Sequence, residues 1–360
     1  MRTIQVTLLF IGLLLAAANA GAAEETIATI ETYGLGKVNR ETVLEAVEIS
    51  VGQRVPTGEE IAAMERKLRA VPGVEEADIS LIRVAPQNAG PAGKKALDAQ
   101  AGNTPVPIIY IGIRETGRPG ISFRAAPTAD AVLAEEIVDT YRRFDAAAAK
   151  SFREGHVSGD DSNGYALFGD EATRVIQRQF VPLAKRHYDR LVEVLRTSSQ
   201  AGHRAKAAWV IGYAADKSKA AAELDAAARD PDHVVRNNAM RGLGVILGYA
   251  AKHPELSIEA PIDVYLDLLE SVEWTDRNKA MAVLGELSAG GNEAVLTKLR
   301  ERSLPALVEM ARWQTEGHAL MAYLLVGRIA GVSDEQMFDA WAAGKREEVI
   351  ARALESANGT

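Results

Sequence analysis

β-Branched residues crowd the stretch from Thr26 to Tyr33 and stop at Gly34, a pattern that predicts a strand followed by a turn. The periodicity then changes to that of helices. Asn39 is an N-cap for a helix whose Val43, Leu44 and Val47 share one face. Thr57 and Glu60 form a capping box for a second helix, with Ile61, Met64, Leu68 and Val71 at helical spacing and Pro72-Gly73 as its stop. Two further strands are expected, Val74 to Val84 and Val106 to Glu115. The Ala-, Gly- and Pro-rich stretch between them, 85–105, reads as a flexible hairpin loop. The order is β-α-α-β-β.

From Phe123 to Lys185 the pattern is helical. Val132, Ile137, Val138, Tyr141 and Phe144 form an amphipathic face between Ala131 and Phe152, and Glu171 to Phe180 resumes as helix after a polar loop from Gly155 to Gly164. The acids of that loop lack the alternating spacing and the later Glu of a calcium loop, so no metal site is assigned to it.

Beyond Pro182 one pattern, Arg-x-x-Ala-x-x-x-Ile/Leu-Gly, occurs three times: Arg204, Ala207, Ile211, Gly212; Arg236, Ala239, Leu243, Gly244; and Arg277, Ala280, Leu284, Gly285. Offsets of 32 and 41 residues suit stacked helix pairs, in which each unit buries its apolar face against its neighbours. An amphipathic segment precedes each motif: His187 to Leu195, Ala221 to Ala228 and Ile262 to Leu269. Asp232 is placed to cap the second helix of its pair, after Pro231 ends the first. A weaker fourth unit has Leu304 to Ala311 as first helix and Ala319 where the Arg belongs.

These features carry two resemblances. The β-α-α-β-β order, Val51 to Val55, Leu68 to Val74 and the closing Arg114-Glu115 resemble a POTRA domain, which implies non-covalent handling of polypeptide; no β-barrel follows, so a role in barrel assembly is not implied. The Arg-x-x-Ala motifs resemble HEAT repeats of the phycobilin-lyase kind over 182–331. That resemblance implies a structural ladder built from Arg204, Ala207, Gly212, Asp232, Arg236, Ala239, Gly244, Asp276, Arg277, Ala280 and Gly285, with the small residues admitting close helix packing. The expected fold class is therefore an α+β N-terminal domain followed by an all-α HEAT-like solenoid. Its segments are 1–20 signal peptide, 24–118 POTRA-like domain, 122–181 helical connection, 182–331 solenoid and 332–360 helical tail.

Composition narrows the setting. Arg2, the apolar run from Ile4 to Leu15 and the small residues ending at Ala20 read as a signal peptide, so a periplasmic or secreted destination is expected. The apolar run is short for a membrane span, and no later stretch could span either. There is no cysteine, which excludes disulfides, thiolate metal sites and a cysteine nucleophile. A net charge of −8 without a long basic run argues against nucleic acid as a partner.

The chemistry of the chain is sparse. The six histidines, His156, His187, His203, His233, His253 and His318, show no metal-ligand spacing and read as surface or capping residues. No nucleophile elbow, Walker loop or dinucleotide fingerprint occurs, so no catalytic residue, cofactor or metal is assigned. Trp and Arg concentrate binding energy at protein interfaces, which makes Trp274, Arg277, Asn278 and Trp313 the candidate partner-binding residues. The reading is an exported scaffold that binds a protein or peptide through its sheet edge and repeat surface. A structural homo-oligomer and a chromophore or cofactor lyase are the alternatives.

Overall fold

The computed structural model describes residues 25–98, 105–156 and 158–358, so the signal-peptide expectation for 1–20 lies outside the described residues. In chain order the elements are β1 (Thr29–Tyr33), α1 (Arg40–Val47), α2 (Gly58–Arg69), β2 (Val74–Val84), α3 (Gly90–Asp98), β3 (Val106–Glu115) and α4 (Glu135–Arg153). A two-residue hairpin, β4 (Gly159–Asp160) with β5 (Leu167–Phe168), precedes α5 (Glu171–Gln177), α6 (Phe180–Thr197), α7 (Ala201–Ile211), α8 (Lys217–Ala227) and α9 (His233–Ala250). The chain closes with α10 (Asp263–Leu268), α11 (Trp274–Leu287), α12 (Glu293–Arg302), α13 (Leu304–Ala311), α14 (Glu316–Ile329), α15 (Asp334–Ala342) and α16 (Arg346–Asn358). A small three-stranded sheet is thus followed, as expected, by a helical region, which the β4–β5 hairpin interrupts.

The caps legible in sequence form as expected. The Asn39 side chain accepts from Thr42 N at 2.8 Å, Thr57 and Glu60 complete their box, and Asp232 accepts from Val234 N and Val235 N. The 85–105 stretch differs from the expected loop. It holds a 3-10 turn at Pro86–Asn88, packed against α14, and then α3, while 99–104 lie outside the described residues. Pro86 and Ala89 are buried, so apolar burial, invisible to a loop composition, organises this segment.

Two compact units result. One is Ser122–Val264; the other joins 25–121 with Tyr265–Thr360, so the 182–331 stretch is divided between them.

In the sheet-bearing unit β3 is central, parallel to β1 and antiparallel to β2. Thr29 lies beside Ile108, and Ile79 beside Ile111. One face of the sheet presents Ile30, Ile79, Ile109, Ile111 and Ile113 to Val43 and Val47 of α1 and Leu68 of α2. Each such side chain contributes about 1.5–3 kcal/mol by burial. β3 is buried on both faces, since Ile108 and Tyr110 on the opposite side are also inaccessible. Gly112 marks the point where that second face meets the helices: an added Cβ would lie 2.0 Å from the Val272 carbonyl oxygen and 2.6 Å from the Tyr33 ring.

In the other unit Phe144 of α4 sits among Phe168, Phe180 and Trp209 at ring separations of 5.0–5.7 Å. Helices α7 and α9 touch where Gly212 and Gly242 meet, 3.5 Å from a built Cβ to the facing Cα. Arg204 is buried and forms a bidentate pair with Asp230 at 2.8 and 2.9 Å. It also donates to Ser198 O.

The arginine geometry repeats. Arg204 donates to the carbonyl of Ser198, Arg236 to that of Asp230 and Arg277 to that of Ser271, each six residues upstream, at 2.9, 2.9 and 2.7 Å. Each bond satisfies a carbonyl of the turn that enters the arginine's own helix. Where Ala319 replaces the arginine, Arg346 of α16 donates to Trp313 O, again six residues before position 319. Ala207, Ala239 and Ala280 are fully buried, and Gly285 packs on Met321. Gly244 departs from the expected packing role, because a Cβ there would meet nothing within 4 Å.

Gly112→Ala should therefore destabilise the sheet-bearing unit by about 3 kcal/mol or more, since backbone and a fully buried ring leave the methyl no room. Urea denaturation compared with the parent chain measures it; a change below about 0.5 kcal/mol would contradict the packing described.

Candidate functional site

Successive side chains on a strand point to opposite faces. The residues of β1, β2 and β3 that do not enter the isoleucine core are therefore collected on the second face: Glu31, Tyr33, Asp78, Ser80 and Tyr110. This face is covered by residues of 272–318 within the same unit.

Tyr33 Oη donates to the Val272 carbonyl at 2.6 Å, and the Arg277 guanidinium lies 4.6 Å over its ring. Arg277 also pairs with Glu309 at 3.6 Å, whose two carboxylate oxygens accept from Gly34 N at 3.0 and 2.9 Å. The Tyr110 ring sits 5.1 Å from both Trp274 and Trp313, and its hydroxyl meets His318 Nδ1 at 2.6 Å. Glu31 Oε1 accepts from Gln314 N, Thr315 N and Thr315 Oγ1. A carboxylate is favourable there, because those amides open α14 and the helix dipole is positive at its start.

Burial dominates the electrostatics. It raises the carboxyl pKa of Glu31 and Glu309 and pushes both tyrosines up. The His318 imidazole is driven down to about 3 by burial and the nearby Lys279 ammonium, which leaves it neutral at ordinary pH. Burial, reinforced by the Glu273 carboxylate, lifts Asp78 to about 8. At this desolvated joint the neutral form of the Asp78 carboxyl is favoured, because burial and the neighbouring negative charge both oppose its ionisation.

The proposed partner-binding residues are thus placed inside. Trp274 is 0%, Arg277 1% and Trp313 3% exposed, which corrects their assignment to an external surface. Their aromatic area and charge are used on the chain's own sheet. Asn278 is half-buried and makes none of these contacts. Asp276 is buried and accepts from Ser271 Oγ at 2.8 Å, so it belongs to the turn before α11. His318, expected at the surface or as a cap, is a half-buried partner of Tyr110. Tyr33, Tyr110, Glu31 and Asp78 carried no motif; their only sequence signal was the period of two shared with the isoleucines.

This joint is a packed interior, and the open polar groups of the unit lie elsewhere. A cavity of about 370 Å³ beside Lys37, Thr42, Gly73 and Glu115 has its carboxylate already engaged, since Glu115 Oε1 accepts from Gly36 N, Lys37 N and Val38 N at 2.7–2.8 Å.

The sheet edges differ from one another. β1 is short, and Thr29, Glu31 and Tyr33 are buried. β2 runs for 11 residues and pairs with β3 on one side only. Its odd-numbered residues turn their main-chain groups outward: Ile79 N donates to Glu65 Oε1 at 3.2 Å, and Ala77 O accepts from Arg69 Nη2 at 2.9 Å. Side chains of α2 therefore cap the edge at Ala77 and Ile79. Two residues further on, Leu81 and Arg83 continue the outward register, and among the described residues no comparable cap reaches their main chain. The Arg83 side chain is held by Glu25 through Nε and Nη2.

Two expected outcomes test the joint. Trp274→Ala should cost about 3–5 kcal/mol of stability by leaving a large cavity, read by thermal and urea unfolding; an unchanged melt would return Trp274 to a binding role. The folded chain holds the Asp78 proton that the unfolded chain releases from about pH 4, so stability falls as pH rises from there to about 8. Asp78→Asn should flatten that fall and stabilise the protein near pH 8 by on the order of 2 kcal/mol, measured by urea titrations across the window; an unaltered pH slope would refute the raised Asp78 pKa.

No protein-family model matches the chain, and no curated protein matches it.

Proposed function

We propose that the chain is a non-catalytic scaffold that binds an extended segment of polypeptide along the open edge of β2. The observation that carries this reading is the outward register of Leu81 and Arg83, which continues past the two positions that α2 caps. Such an edge offers two N–H donors and two carbonyl acceptors in strand geometry, and an added strand completes them. Leu81 packs on the isoleucine core and Arg83 is tied to Glu25, so the accepting edge is preorganised and little ordering cost attaches to binding.

The sheet domain is read as POTRA-like and the helices as HEAT-like pairs. Supporting the second is the recurrent bond from each repeat arginine to the carbonyl six residues before it. The ladder role suits Arg204, Arg236 and Arg277 better than partner contact, because all three are buried. Export is inferred from the first 20 residues, and it places the partner in the cell envelope or beyond. Among the described residues no nucleophile and base are paired at an open site, which supports binding over turnover.

Arg83→Pro tests the reading. It deletes one outward N–H while leaving the ladder to β3 intact, a substitution that an edge strand tolerates. Binding of β-branched, extended peptides from a synthetic array, followed by fluorescence anisotropy, should weaken about tenfold in Arg83→Pro and stay nearly unchanged in Arg83→Ala. Equal loss in both variants would assign binding to the side chain and refute edge pairing. Concentration-dependent dimerisation of the parent chain, abolished by Arg83→Pro, would make a second copy the occupant.

A further inference from the structure

Lys217 opens α8, and its side chain is only 7% exposed. Nζ is buried and has no hydrogen-bond partner among the described residues. It lies 5.0 Å over the Tyr165 ring. Its stem passes beside Gly164, whose φ is +68°, where an added Cβ would come within 3.0 Å of Lys217 Cε and 2.9 Å of the Tyr249 ring. Tyr249 is itself stacked on His253 at 4.0 Å, and Tyr165 packs 5.5 Å from Tyr213. The walls are therefore aromatic.

Among the described residues no acid pairs with this cation. The preceding Asp216 is committed to Lys219, accepting from its N–H at 3.0 Å and facing its ammonium at 3.5 Å. A side chain at the first helical position leans back past the helix N-terminus, where the dipole is positive and opposes an ammonium. An isolated buried ammonium is costly, and the group relieves the cost by losing its proton. Burial accordingly brings Lys217 down to about 8. The polar loop that covers it is a hairpin closed by two residue pairs, Gly159 with Phe168 and Asp160 with Leu167. Ser162 and Asn163 at its tip are exposed.

We propose that Lys217 is a reactive amine, covered by the 159–168 hairpin, that condenses with small aldehydes to form an imine. The neutral nitrogen attacks the carbonyl carbon, the C–N bond forms, the C–O bond breaks and water leaves with both nitrogen hydrogens. No oxidant or cofactor is required. Desolvation in an aromatic pocket is a recognised route to a nucleophilic lysine, and the walls exclude the water that would hydrolyse the product. Small size follows from the close packing around Gly164 and Tyr249.

Competitive labelling of the whole chain with acetaldehyde and cyanoborohydride at pH 7 tests the proposal, with peptide mass mapping of each lysine. Lys219, two residues away and 74% exposed, is the internal reference. A pKa near 8 leaves on the order of a hundredfold more free amine at pH 7 than an ordinary lysine has. Lys217 should label about tenfold faster than Lys219, with its advantage shrinking above pH 9 as ordinary lysines deprotonate. Labelling no faster than Lys219 would overturn the proposal, whether the cause were an ordinary pKa or a closed hairpin.

Discussion

The sheet can exist in this chain only because its second face is covered. Tyr33 and Tyr110 are fully buried there, and Glu31 is nearly so. Left in water, that side of three strands would expose two large rings and gain nothing from folding. Residues 272–318 supply what it needs: a carbonyl for the Tyr33 hydroxyl, His318 for that of Tyr110, two tryptophans for the rings and the Gln314 and Thr315 amides just before α14 for Glu31. The N-terminal strands and the C-terminal helices thus form one compact unit, although the whole of Ser122–Val264 intervenes in sequence. Buried ionisable groups make this joint demanding. Each must find a partner or change its protonation, and the Asp78 carboxyl, raised by burial and Glu273, does the latter.

The arginines answer a different constraint. The turn into each second helix leaves a main-chain carbonyl inside the protein, and an arginine one and a half turns later bonds it. Arg204 adds a buried carboxylate partner in Asp230, while Arg277 faces Glu309 and the ring of Tyr33. The substitution at Ala319 shows how firm the requirement is, because Arg346, from another helix, reaches the corresponding carbonyl.

Local structure was legible in the sequence wherever a short-range signal sets it. The Thr57–Glu60 box, the Asn39 and Asp232 caps and the bounds of α13 follow from residues within a few positions of one another. The repeat arginines were also visible as a pattern, and all three are buried. What escaped depended on distant neighbours. Trp274 and Trp313 look the same in sequence whether they meet an outside partner or the chain's own Tyr110, and only the sheet's return to α11 and α14 decides it. The helical turn at 86–88 was hidden for the same reason, since its glycine- and proline-rich composition gives no hint of the α14 surface on which it rests. Lys217 carried no motif at all; its isolation arises from the hairpin folded over it.

With the tryptophans and arginines committed inward, the binding proposed for this chain falls to main-chain groups at the edge of β2. Amide hydrogen exchange, resolved residue by residue along Ile79 to Arg83, addresses this most directly. Slow exchange is expected at Ser80 and Ile82, which pair with β3, and fast exchange at Leu81 and Arg83 in the free protein, with protection of those two gained when an extended peptide binds. Uniform protection of all four amides in the free protein would mean that the edge is already covered, and would contradict binding there.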